Sequence, residues 1–104
     1  MKLQVKLPEK EIADFCQRWQ IVELSVFGSI LRDDFNANSD IDFLFTFSPE
    51  ARWGLFKVME MQQELEQLVE RPVDFVSKRA IEHSHNWLRR EEILGNAEIV
   101  YEVQ

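Results

Sequence analysis

Asp40 and Asp42 stand two residues apart at the head of an alternating apolar run, Ile41-Asp42-Phe43-Leu44-Phe45-Thr46-Phe47. On a strand, successive side chains alternate faces, so both carboxylates point the same way, with Cα atoms roughly 6.6 Å apart. Ile41, Phe43, Phe45 and Phe47 occupy the other face, which is wholly apolar and must be buried. One face packs a core while the other presents paired hard-oxygen ligands, an arrangement that suits a divalent cation. Upstream, Val26-Phe27-Gly28-Ser29 reads as a strand running into a sharp turn and a short helix. Gly28 can take φ > 0 and let backbone come close to a ligand. Ser29 adds a hydroxyl and free N–H groups at the start of a helical turn, and a glycine turn feeding a helix start is a phosphate cradle.

A third acid follows from parity. In Val73-Asp74-Phe75-Val76 the apolar Val73 and Phe75 face the core, so Asp74 shares the open face with the pair. Asp40, Asp42 and Asp74 together can hold two Mg²⁺ ions about 3.5–4 Å apart, and Asp74 can deprotonate an attacking hydroxyl, directly or through the metal. A phosphate cradle beside metal-binding carboxylates implies nucleotidyl transfer from a nucleoside triphosphate. Plainer readings stand beside these: an Asx turn for the aspartates, a helix cap for Gly28-Ser29, and a mutual ion pair for Arg32 and Asp34 in place of a triphosphate contact. Ser39 fits a loop-capping or loop-orienting role. His83 and His85 fall in a polar connection with no cysteine nearby to support zinc.

The elements that must position these residues follow from periodicity. Residues 2–7 alternate and can form a short edge strand or an ordered arm. Pro8 can open a helix from Glu9 to Gln20, with Ile12, Phe15, Cys16 and Trp19 on one buried stripe. Ile21 to Phe27 is a strand with Val22, Leu24 and Val26 facing one way. Trp53 to Glu70 forms the longest helix, its buried side marked by Leu55, Val58, Met59, Met61, Leu65, Leu68 and Val69, with Phe56, Met59 and Met61 expected in the core. Residues 79–82 make a helical turn, Trp87 to Leu94 a helix closed by Gly95-Asn96, and Glu98 to Val103 a last strand or a docked tail. Trp53, Trp87 and Tyr101 are candidate interface anchors. The fold class is α+β: a mixed sheet of three or four strands backed by helices on one face. Whether the strands at 40 and 73 are adjacent and parallel or separated is left open by the pattern.

Composition bounds the rest. The 104 residues are expected to form one domain, 1–104, and 45% hydrophobic with 12% aromatic content excludes a disordered chain. A net charge of −7 repels phosphate backbones, so the domain is expected to bind no nucleic acid directly and to attract a basic partner. The lone Cys16 suits a reducing compartment and a core position. No apolar run approaches the roughly 20 residues that span a bilayer, and the N-terminus lacks the apolar core of a signal peptide. No membrane contact and a cytoplasmic location are therefore expected.

Gly28-Ser29-x-x-Arg32-x-Asp34-x-x-x-x-Ser39-Asp40-Ile41-Asp42 resembles the signature of the DNA polymerase β-type nucleotidyltransferases, and the chain as a whole resembles their minimal nucleotidyltransferases. Asp33 departs from that pattern, in which a small residue, often glycine, follows the arginine. The resemblance implies that Gly28 and Ser29, with Arg32 and Ser39, hold the nucleotide, and that Asp40, Asp42 and Asp74 hold the metals and do the chemistry. It further implies ATP as substrate, Mg²⁺ as cofactor and an all-helical HEPN-type RNase toxin as partner. The expected activity is that of an antitoxin that neutralises this toxin by binding it and transferring AMP to it. Two rivals are a non-catalytic module that blocks its partner by occlusion and a small-molecule nucleotidyltransferase. The second is disfavoured because residues outside the motif are consumed in framing the core, leaving no acceptor-binding domain.

Overall fold

A computed structural model describes residues 5–103. The order is α1 (Glu9–Arg18), β1 (Ile21–Phe27), a single 3-10 turn (Gly28–Leu31), β2 (Ile41–Phe47), α2 (Leu55–Val69), β3 (Val73–Ser77), α3 (Lys78–Glu82), α4 (Trp87–Asn96) and β4 (Glu98–Glu102). The strands form one mixed sheet in the order β3-β2-β1-β4. β1 runs antiparallel to β2 and to β4, and β2 is parallel to β3. The alternating C-terminal segment is thus a true edge strand. The open question about β2 and β3 has a definite answer, since α2 serves as the crossover that a parallel neighbour requires. Of the 2–7 segment, residues 1–4 lie outside the described residues, and 5–7 are irregular with Leu7 buried.

The larger core lies between the sheet and α1 with α2. Ile12, Phe15 and Cys16 of α1 and Met61 and Leu65 of α2 meet Leu24, Val26, Ile41, Phe43 and Phe45 of the sheet. The apolar face of β2 is buried as its alternation requires. A bulge between Ile21 and Glu23 breaks parity at the start of β1, so Ile21 takes the inward place that strict alternation gives to Val22. α1 and α2 are tied by Glu64, which accepts hydrogen bonds from the Arg18 guanidinium and, at 3.0 Å, from the Trp19 indole.

The acid-bearing face of the sheet is not bare. Leu44 and Phe27, on the parity opposite to the main core, pack against Ile81 of α3 and Ile93 of α4 in a second, smaller cluster. α1 and α2 therefore cover one face, while α3 and α4 cover part of the other.

Four expectations change at the helices. Leu55, Phe56 and Met59 are 73%, 82% and 48% exposed, so they are surface and not core. Trp53 closes that end of the core in their place: its ring meets Trp19 edge-on at 5.1 Å and its Nε1 donates to the Trp19 carbonyl at 2.8 Å. Trp53 is accordingly an internal strut and not an interface anchor, whereas Trp87 is exposed. α1 ends at Arg18, with Gln20 in the left-handed region, and α4 runs through Gly95 to Asn96 where a glycine closure was expected.

Candidate active site

The site lies where β1 ends and β2 begins. Phe27, the last residue of β1, pairs with Asp42, so the chain turns away immediately beside that carboxylate. The turn needs glycine. Gly28 has φ +75°, and a Cβ placed there would lie 2.3 Å from Asp42 Oδ2. On the other side of β2, Asp42 is in direct register with Asp74 across the parallel pair, which sets their Cα atoms about 4.8 Å apart with side chains on the same face. β3 is an edge strand, and α2 fixes its start: Gln62 Nε2 donates to the Val73 carbonyl and the Val73 N–H donates to Glu66, both at 3.0 Å. Those two bonds hold the residue next to Asp74.

The loop entering β2 is held by Arg71. Its Nη1 donates to the carbonyls of Asn36 at 2.8 Å and Ser39 at 3.1 Å, and its guanidinium lies 4.6 Å from the Phe35 ring centre. Ser39 Oγ accepts from the Asn36 N–H at 3.0 Å and so caps the loop internally. Ser29 Oγ donates to the Asp40 carbonyl at 3.4 Å, tying the glycine turn to the first aspartate.

These elements enclose a cleft of about 530 Å³ lined by Gly28, Leu31, Arg32, Asp42 and Asp74, with Arg89, Glu92, Ile93 and Asn96 of α4 forming the remaining wall. Burial pushes the Asp42 carboxyl above its ordinary value, and the charges of Asp74 and then Asp40 push it the same way, against a smaller opposing effect of Arg32. Arg32 itself pairs with Asp34 at 3.5 Å. A carboxylate whose proton affinity is raised by burial and by neighbouring acids is one that a cation would relieve, and carboxylate oxygens are hard ligands of the kind Mg²⁺ takes. Asp42 and Asp74 are the convergent members. Asp40 is exposed at the loop's end, near enough to act on Asp42, and among the described residues no three acidic, histidine or cysteine side chains already meet at one point in ligand geometry.

Residues 9–100 match the Nucleotidyltransferase domain family. The chain belongs to this family. The Protein adenylyltransferase MntA of Thermococcus cleftensis is 35% identical over 65 residues, 62% of this chain and 64% of that protein, so the match spans slightly under two thirds of the relative. A solved structure assigned to the minimal nucleotidyltransferases is 30% identical, covers 86% of each chain and has a TM-score of 0.66. A toxin–antitoxin crystal structure with AMP-PNP has a TM-score of 0.70 at 20% identity, covering 94% of this chain and 76% of that one. The same fold recurs, at TM-score 0.57 and 17% identity over 92% of this chain and 71% of that one, in the complex of a tri-AMPylated Shewanella oneidensis HEPN toxin with its MNT antitoxin.

In this nucleotidyltransferase the residues singled out by sequence divide into two groups. Gly28, Arg32, Asp42 and Asp74 line the cleft. Ser29, Ser39 and Asp40 stand at its margin, where both serine hydroxyls are engaged with loop backbone. Sequence reasoning missed Arg71, which positions the loop, and Arg89, which faces the cleft from α4. The available signal was Leu44, an apolar residue on the acid-bearing face, which requires something to cover it. Among the described residues no helix is long and apolar enough to cross a membrane.

Proposed function

We propose that this nucleotidyltransferase transfers AMP from ATP to a HEPN-type helical toxin, in a Mg²⁺-dependent reaction that neutralises the toxin in the cytoplasm. The observation that carries this reading is the register of Asp42 with Asp74 directly against the Gly28 turn, inside a cleft large enough for a nucleotide. The adenylyltransferase name of the Thermococcus relative and the AMPylated toxin in the Shewanella complex support AMP and a protein acceptor. Asp40, Asp42 and Asp74 would hold Mg²⁺, which when bound supplies neutralisation of phosphate charge. Gly28 lets backbone reach the phosphates without displacing Asp42, and Ser29 keeps the turn joined to the Asp40 loop. Asp74, the exposed acid, accepts the proton of the incoming hydroxyl.

The test mixes the protein with its helical partner, ATP and Mg²⁺ and reads intact masses. The expected result is one or more AMP adducts on the partner, lost when Asp42 is changed to Asn. Stable binding of the two proteins without any adduct refutes transfer and leaves occlusion as the means of neutralisation.

A further inference from the structure

Resting on the nucleotidyl-transfer reading, we infer that Arg89 of α4 is the cation that grips the triphosphate tail of the nucleotide and takes up the charge of the departing pyrophosphate. Arg89 lies in the third position of α4 and lines the same cleft as Gly28. Its backbone N–H donates to the Asn86 cap at 3.2 Å, so the residue's helical position is fixed independently of its side chain. The guanidinium has no acidic partner among the described residues. The other arginine of the cleft, Arg32, already has Asp34 at 3.5 Å. Elsewhere on the chain, Arg18, Arg71 and Arg90 spend their donors on Glu64, on the Asn36 and Ser39 carbonyls and on the Ser84 carbonyl. A guanidinium with five donors, set in a cleft and with no side-chain partner among the described residues, is built for an anion that arrives from outside.

Charge identifies that anion. The cleft lining contains Asp42, Asp74 and Glu92 against Arg32 and Arg89. A free carboxylate or a monophosphate gains little in such surroundings, whereas a polyphosphate extending from the carboxylate floor toward α4 reaches Arg89, the cation of this lining that has no acidic partner among the described residues. In the transfer, an acceptor oxygen bonds to the α-phosphorus while the bond from that phosphorus to the α–β bridging oxygen breaks. The electron pair leaves with pyrophosphate, and the hydroxyl proton passes to Asp74. The extra negative charge therefore appears on the bridging and β-phosphate oxygens, where a bidentate guanidinium acts most strongly. Arg89 thus distinguishes a triphosphate from AMP and assists its cleavage.

Titration calorimetry with Mg²⁺ and a non-hydrolysable ATP analogue, compared with AMP, tests this on the native protein and on Arg89→Ala and Arg89→Lys. Arg89→Ala should weaken the triphosphate analogue about ten- to hundred-fold, the range of a charge-assisted hydrogen bond, and leave AMP within about twofold. Arg89→Lys, which keeps the charge but not the fork, should fall between. Melting curves confirm that each variant folds, and the lysine variant decides the matter should the alanine one not. Equal losses for analogue and AMP, or no loss for either, overturn the assignment. AMP transfer to the partner by the native protein is read separately, so a native enzyme that transfers AMP while Arg89→Ala binds the analogue normally refutes the role of Arg89 and not the reaction.

Discussion

Gly28→Ala is the substitution that most directly exposes how this site is built. The added methyl would stand 2.3 Å from Asp42 Oδ2, where ordinary contact begins at 3.4 Å, so something must move by about 1 Å. The mobile party is the Asp42 side chain, because the glycine backbone is fixed by β1 pairing up to Phe27. A displacement of about 1 Å at a reacting group can cost roughly 100-fold in rate, which corresponds to about 2.7 kcal/mol of barrier. The φ of +75° adds strain that an alanine feels and a glycine does not, about 1–2 kcal/mol of stability, or a fall of about 5–15 °C in Tm for a domain this size. Gly95→Ala is the control. Gly95 sits within α4, has no neighbour within 4 Å of a new Cβ, and is absent from the positive-φ residues. Replacing it should stabilise the protein by about 0.5–1 kcal/mol and leave transfer intact. Partner adenylylation by intact mass, with melting curves on the same samples, reads both effects. Transfer by Gly28→Ala within about threefold of the native rate would refute the claim that this glycine exists to make room for Asp42.

Asp42→Asn should raise the Tm of the metal-free protein near neutral pH. Burial and the charges of Asp74 and Asp40 lift the folded-state pKa of Asp42 above its unfolded value. Its penalty therefore grows as pH rises from the unfolded pKa through the folded one and is complete above both. The gain, under about 1 kcal/mol for a half-exposed group, should vanish in acid, and a gain independent of pH would contradict this cause. Arg71→Ala should cost about 1–3 kcal/mol by orphaning the Asn36 and Ser39 carbonyls and unstacking Phe35. Amide exchange at residues 36–40 should accelerate and transfer should fall, while unchanged exchange would show that the loop is held by something else. Burial pushes the Cys16 thiol up to about 12, so a thiol reagent should leave the native protein unlabelled near neutral pH and modify its single cysteine after unfolding. Rapid native labelling would show that the α1–sheet core opens readily.

The parts of the site that sequence conveyed are those governed by local rules. Strand parity alone assigns Asp42 and Asp74 to one face and Ile41, Phe43 and Phe45 to the other, and a glycine at the end of a strand announces a turn that no other residue makes easily. Arg71 and Arg89 follow no such rule. Each reaches its place through tertiary packing, Arg71 by lying beyond the end of α2 beneath the 35–39 loop and Arg89 by the docking of α4. The same limit explains Leu55, Phe56 and Met59. Helical periodicity reports which residues share a stripe but not how far the underlying surface extends, and here Trp53 and Trp19 close that surface before the first turn of α2 reaches it. The bulge at Ile21 illustrates a further limit, since one inserted residue inverts parity with no composition signal.

Strand β2 carries both the acid and the anchor that shapes the cavity around it. Leu44 lies two residues beyond Asp42 on the same face, and with Phe27 it binds Ile81 and Ile93. That contact brings α4 over the sheet and turns an open carboxylate-bearing surface into a walled cleft. Within that cleft Asp42 is partly buried, burial being the largest cause of its raised proton affinity, and Arg89 of α4 is among the lining residues. Removing solvent strengthens every remaining electrostatic interaction in the cleft. The small cluster of Phe27, Leu44, Ile81 and Ile93 therefore shapes the site although none of its four side chains is polar. On the proposed roles of Asp42 and Asp74, transfer depends on a hydrophobic contact on the face that these acids would otherwise leave to water.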